Sequence, residues 1–177
     1  LTLNAEQNYN VAKKKDMVFF AIDENPNYYQ NKFAVLYDDL SHFYLAADAE
    51  WSPSDKKGIV ISLVYNHYQL DSLTYPSGLP HFEATISSFY NIGDKIIGHL
   101  DVYSALNRMA ERTGQGDFAI KYFDLGNIID VDLMIEYRYN NVLSGYLKGS
   151  NLIGGYEMWQ NYPVISPQIQ VGFSYQL

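Results

Sequence analysis

From residue 129 the chain alternates almost strictly. Ile129, Val131, Leu133, Ile135, Tyr137 and Tyr139 are separated by Asp130, Asp132, Met134, Glu136, Arg138 and Asn140. Successive side chains of a strand point to opposite faces, so this period of two predicts a sheet with one apolar and one polar side. Residues 165–177 repeat the pattern, with Ile165, Pro167, Ile169, Val171, Phe173, Tyr175 and Leu177 set against Ser166, Gln168, Gln170, Gly172, Ser174 and Gln176. In a soluble domain so apolar a strand invites edge pairing and aggregation. Closing a barrel in a membrane removes the edge.

Upstream, strands are expected at 1–10 and over the apolar residues of 17–23, the same period marks others at 28–38, 41–51, 59–71, 81–90 and 95–105, and residues 142–154 form another between the two stretches above. Clusters rich in Pro, Gly, Asn and Asp punctuate them at 23–27, 52–58, 72–80 and 91–94. The expectation is an all-β, antiparallel, up-and-down transmembrane barrel with about ten strands in this chain. No sustained helical period and no linker divides residues 1–177, which read as one barrel domain or the carboxyl-terminal part of a larger one. Ten strands in 177 residues allow roughly 18 per strand and connection, enough for spanning strands of about 9–11. Connections 52–58, 91–94 and 140–141 are short and fall on one side, whereas 72–80, 106–126 and 155–164 are longer and fall on the other. A soluble antiparallel sandwich shares the alternation; the loop asymmetry is that of a bacterial barrel, short on the periplasmic side.

Composition sharpens this picture. Seventeen Tyr, nine Phe and two Trp suit β structure and interfacial aromatic girdles. A net charge of −8 lacks the clustered positive charge that nucleic acid or an anionic surface requires. There is no cysteine, so disulfides and thiolate chemistry are excluded. The longest clear apolar run, 17–22, is far short of the roughly 20 residues of a membrane helix. Mean hydropathy of −0.21 is compatible with a barrel, since half of each spanning strand faces the lumen.

Three stretches carry a more specific resemblance. AspLeuMetIleGluTyrArgTyrAsnAsn (132–141), LeuLysGlySerAsnLeuIleGlyGlyTyrGluMetTrpGlnAsnTyrProVal (147–164) and the terminal GlyPheSerTyrGlnLeu together resemble the end of TonB-dependent-receptor-like outer-membrane barrels. Residues 80–96 resemble the hairpin before that end. The resemblance implies the outer membrane of a Gram-negative bacterium, surrounding outer-membrane lipid, and a carboxyl-terminal signal in Phe173, Tyr175 and Leu177 read by the barrel-assembly machinery. Family members most often end in Phe, from which Leu177 departs. It further implies import of a nutrient, with TonB contacted through a plug region outside these residues. Receptors of this family have about 22 strands, so the expectation is the carboxyl-terminal portion of a longer receptor, a reduced relative being the alternative.

The polar rows supply the candidate lumen-facing residues: Asp48, Glu50, Glu83, His99, Asp101, Asp130, Asp132, Glu136 and Arg138. They line a solute path or, more plainly, brace the interior by opposite charge. Tyr156, Trp159 and Tyr162 cluster in one external loop, where exposed aromatics bind a ligand or partner or fold over the barrel mouth as a lid. The four histidines lack metal-ligand spacing, no motif marks a nucleophile, and the glycines at 114–116 and 154–155 lack a phosphate-loop context. No catalytic residue, metal or cofactor is therefore expected. Two functions remain open: a nutrient-importing receptor, or an accessory barrel that anchors other envelope proteins without transport.

Overall fold

The computed structural model describes residues 1–12, 18–23, 33–113, 120–160, 162–164 and 167–175. They are all β and coil. The strands are β1 (Thr2–Ala12), β2 (Val18–Asp23), β3 (Phe33–Tyr37), β4 (Leu40–Ser54), β5 (Lys57–Leu70), β6 (Pro80–Ile92), β7 (Ile96–Thr113), β8 (Ile120–Asp124), β9 (Ile128–Arg138), β10 (Leu143–Ser150), β11 (Glu157–Trp159), β12 (Tyr162–Pro163) and β13 (Gln168–Tyr175).

Eight of them form one antiparallel wall in the order β1-β4-β5-β6-β7-β9-β10-β13. Among the described residues β1 and β13 are its free edges. Eight of the ten expected strands are therefore wall strands, while the stretches read as the second and third strands take another place. Their described parts, Val18–Asp23 and Phe33–Tyr37, pair as β2 and β3 and join the end of β7 through a parallel pairing of Ile22 with Arg112 and Asp23 with Thr113, while residues 17 and 28–32 lie outside the described residues. The reason is register: β1 pairs with β4 along its whole length, from Thr2↔Glu50 to Ala12↔Leu40, so the neighbouring position on β4 is occupied. The stretch read as the loop 106–126 is likewise partly strand. β7 continues to Thr113 and pairs with β8 from Met109↔Asp124 to Thr113↔Ile120.

Register confirms the expected separation of faces. One row across the sheet reads Leu3, Ala49, Ile61, Ile86, Val102, Val131, and another Trp51, Ile59, Ser88, Leu100, Leu133, Gly149, Ile169. The alternating face carries Asp48, Ser62, Thr85, Tyr103, Asp130 and, one step on, Glu50, Val60, Ser87, Asp101, Asp132. The apolar face is open: Ile169, Val171 and Phe173 are 74%, 79% and 80% exposed. Trp51, Tyr90, Tyr137 and Tyr175 stand on it toward the tight-turn end, and Tyr65 toward the other. From the row of Lys57 and Tyr90 to that of Tyr65 and Phe82 is eight residues, about 26 Å along a strand. Before strand tilt this is close to the ~25 Å apolar band of a transmembrane barrel.

Turns at 55–56, 93–95 and 139–142 close one end of the wall. The other end carries all the long connections, and it holds the core. Leu40, Leu73, Ala105, Ala110, Ile128 and Tyr156 are buried there, together with Asp38, Ser77, Arg108, Glu111 and Gln160. A spanning strand needs about 9–11 residues, so the 18 residues of β7 carry its last turns well past the wall and into this packed cap.

Candidate functional site at the loop end

Arg108 organises the cap. It sits on the protruding part of β7 and is 2% exposed. Its Nη1 donates to Glu157 O at 2.8 Å, its Nη2 to Met158 O, and its Nε to Gly78 O at 3.4 Å. One guanidinium thus ties the loop after β5 to the loop after β10. Burial lowers its pKa, which the nearby Tyr103 and Glu157 side chains partly oppose. Two main-chain bonds tighten the same junction, as Gly78 N donates to Met109 O at 2.7 Å and Leu125 N to Arg108 O at 3.0 Å.

Trp159 lies against Gly78. A Cβ added at Gly78 would stand 2.9 Å from Trp159 Cζ3, and Gly78 has φ of +80°, so both the ring and the backbone require glycine here. Tyr156 turns inward, packing on Ala105 and Ile128 and donating its hydroxyl to Asp130 Oδ2 at 3.2 Å. Tyr162 remains 56% exposed and stacks on Phe33 with ring centroids 5.8 Å apart. Of the three loop aromatics expected to be presented together, Tyr156 is therefore a core residue, Trp159 a half-exposed cover and Tyr162 an exposed platform.

A second anchor lies beside it. Asp38, fully buried between β3 and β4, accepts from Leu73 N at 2.7 Å, Ser72 N at 2.9 Å and Asp39 N at 2.9 Å. Burial works against its charge, but these N–H groups outweigh it and hold the carboxyl below its ordinary value. Glu111 is also fully buried, and burial with the nearby Asp38 charge pushes it up to about 7. Tyr122 on β8 accepts from Thr74 N at 3.0 Å and meets Tyr75 edge to face.

Below the cap, the polar face carries all nine residues expected to face a lumen, spread over β4, β6, β7 and β9. They do not converge on one point. Glu83 joins a network near the cap, accepting from Tyr103 Oη at 2.9 Å and from Asn66 Nδ2 at 3.2 Å, and Asn66 Oδ1 meets His42 Nε2 at 2.9 Å. Asp132 lies opposite Asp101, accepts from Asn151 N at 3.0 Å and pairs with Lys148 at 3.6 Å. Glu136 pairs with Arg138 at 3.2 Å near the turn end. Asp48, Glu50 and His99 lie on the same face between these groups. No group of three or more His, Cys, Asp or Glu among the described residues is arranged to hold a metal ion. Phe173 and Tyr175 project from the apolar face of β13, and Leu177 lies outside the described residues.

Arg108, Gly78, Asp38 and Glu111 were not singled out from sequence. Arg108 and Glu111 fall in a stretch whose Gly and polar content reads as loop, and Asp38 in a short acidic turn. Alternation offers no signal for Arg108 or Glu111, since Arg108 and Arg112 fall on the row that is apolar earlier in β7 and Met109 and Glu111 share the other row.

Among the described residues, a strand order without helices, an open apolar face, an opposite polar face, short turns at one end and packed loops at the other define the wall of a transmembrane β-barrel. The fold is TonB-dependent-receptor-like. The ferripyoverdine receptor of the outer membrane of Pseudomonas aeruginosa, solved bound to ferripyoverdine, superposes with a TM-score of 0.69 at 12% identity, covering 98% of this chain and 25% of the receptor. The pyoverdine outer-membrane receptor FpvA of P. aeruginosa PAO1 bound to pyoverdine gives 0.69 at 14% identity, over 99% and 27%. The receptor in the FpvAI–pyocin S2 complex gives 0.69 at 11%, over 98% and 24%. The chain thus spans about a quarter of the length of the receptors it resembles. No family model matches the sequence, and no curated protein does.

Proposed function

We propose that this chain is the carboxyl-terminal wall of an outer-membrane receptor that binds a nutrient at its loop end and imports it. The observation that carries the reading is the wall itself: an open apolar face on one side, a carboxylate-rich polar face on the other, and a tied loop cap at one end only. An apolar face of this extent is stable in lipid and aggregation-prone in water. The polar face becomes the lumen lining, in which Asp48, Glu50, Glu83, Asp101, Asp130, Asp132 and Glu136 outnumber Arg138 and Lys148. Trp159 and Tyr162, the accessible aromatics of the cap, are then the residues that an incoming solute meets first at the outer mouth. Likeness to receptors solved with ferripyoverdine, pyoverdine and a pyocin supports a mouth that takes up ligands.

On this reading residues 1–177 are part of one barrel domain, completed by strands that pair with the free edges of β1 and β13. The assembly machinery reads Phe173, Tyr175 and Leu177, and TonB acts through a plug that the rest of the receptor supplies. No step requires a catalytic residue. The test is uptake by Gram-negative cells with and without the gene, using labelled ferric chelates, oligosaccharides and vitamins, with and without a protonophore. The expected result is loss of one uptake activity that the protonophore also abolishes. Unchanged uptake across the panel, with a stoichiometric envelope protein co-purifying, would replace import by the accessory role.

A further inference from the structure

We propose that the apolar face carries a phospholipid site near the tight-turn end, which seats one acyl chain in a groove and binds the anionic headgroup with Lys57. The inference rests on the membrane reading above and adds to it a particular lipid, at a particular place.

The groove has a volume of about 470 Å³. Its floor is Ser88 and Gly98, which are diagonal neighbours because Ser88 pairs with Leu100 and Tyr90 with Gly98. Its sides are Trp51, Ile59, Tyr90, Leu100 and Leu133. The depression exists because the two floor positions lack bulk where the rows on either side carry large apolar groups. A Cβ built on Gly98 meets nothing within 4 Å, so the space above it is empty rather than filled by a neighbour. Dispersion contacts are forfeited along such a gap, and a flexible hydrocarbon chain restores them.

The headgroup end is marked by charge. Lys57 lies at the start of β5 in the row of Tyr90 and Gly98, at the end where the spanning strands turn. Its Nζ is 5.8 Å from the Trp51 ring centroid, which holds the ammonium at the groove rim beside an interfacial aromatic. The neighbouring Lys56 is paired with Asp94 at 2.9 Å, leaving Lys57 as the cation of this groove. A lysine on an aromatic at the interface, above an apolar groove, complements a phosphate-bearing lipid of the leaflet that meets the turn end. Lipopolysaccharide belongs to the opposite leaflet and does not reach it.

The intact protein, purified from outer membranes in mild detergent, is titrated with phosphatidylglycerol and with phosphatidylcholine, and bound lipid is counted by native mass spectrometry. Expected is one retained phosphatidylglycerol per chain in preference to phosphatidylcholine. Lys57→Gln should weaken it by about fivefold, the effect of roughly one lysine on an anionic lipid, and Lys57→Arg should retain it. Gly98→Leu, for which the groove has room, should displace the lipid without unfolding the wall. Gly145→Ala, on the same face away from the groove, should leave binding unchanged. Equal retention by wild type, Lys57→Gln and Gly98→Leu in a membrane-inserted protein overturns the site while leaving the receptor reading intact. Recovery of the protein only from the soluble fraction overturns both.

Discussion

Replacing Arg108 with Met keeps most of the side-chain volume and removes the donors that tie the two long loops. A hydrogen bond from a charged donor contributes about 1.5–3 kcal/mol net, and the bond at 3.4 Å to Gly78 O contributes least. The two bonds to Glu157 O and Met158 O therefore total roughly 3–6 kcal/mol. Against this, the variant no longer has to bury a cation, which returns part of the loss. The balance is about 2–4 kcal/mol, confined to the cap. Since ~1.4 kcal/mol is a factor of ten, the cap should open roughly 30- to 1,000-fold more often. Native-state hydrogen exchange reads this at the amides of Gly78 and Val164, which are bonded to Met109 O and Tyr156 O on the two sides of the tie. Wall amides such as those of Ile61 and Leu100 should exchange as before. Arg108→Lys should fall between, because one ammonium cannot fork to both carbonyls. Unchanged exchange at both loops, or loosening of only one, would refute the idea that a single guanidinium couples them.

Gly78→Ala should loosen the same cap by at least about 1–2 kcal/mol, from its positive φ and the Trp159 ring, read as altered Trp159 fluorescence in a Trp51→Phe background. Val171→Arg or Leu133→Arg should impair insertion by roughly 2–4 kcal/mol near the midplane, while Gln170→Arg on the polar face is tolerated; heat-modifiable migration of the inserted protein distinguishes them, and equal tolerance would sink the face assignment. Acidity acts on the cap with a definite sign. Glu111 has a folded pKa of about 7 against an ordinary 4.5, so the folded cap binds the extra proton between these values. Its contribution is full below about pH 4.5 and is lost as pH rises to about 7, so cap protection should fall between about pH 4.5 and 7 and Glu111→Gln should flatten that change. Asp38, held below 3.8, works oppositely: its contribution is present at neutral pH and is lost only under stronger acid.

What the sequence disclosed, and what it withheld, follow from how each part is encoded. Alternation at 129–140 and 165–175 is a local property, and burial of one face in a single medium preserves it, so β9 and β13 and their faces were legible. The same holds for the nine polar-face residues, because a slip of one residue would have moved each of them to the apolar side. Strand neighbours are not local. The apolar run at 17–23 and the alternation at 28–38 read as strand as well as some wall strands do, yet β1 pairs with β4, and nothing within either stretch signals the eleven-residue register that excludes them.

The cap was hidden for a related reason. A buried arginine whose partners are the carbonyls of Gly78, Glu157 and Met158 leaves no trace in the identity of those partners, since every residue has a carbonyl. The Asp38 anchor is equally silent, as it binds main-chain N–H groups of Ser72 and Leu73. Side chains that bind backbone let the loops vary in sequence while keeping their position, which suits the ligand-binding mouth proposed above. The aromatics divide accordingly: Tyr156 is committed to the core beneath the tie, and Trp159 and Tyr162 remain accessible above it. On the proposed receptor reading, ligand contact falls to positions the fold does not need, so Tyr162→Ala should alter uptake at unchanged cap exchange, whereas Tyr156→Ala should alter both.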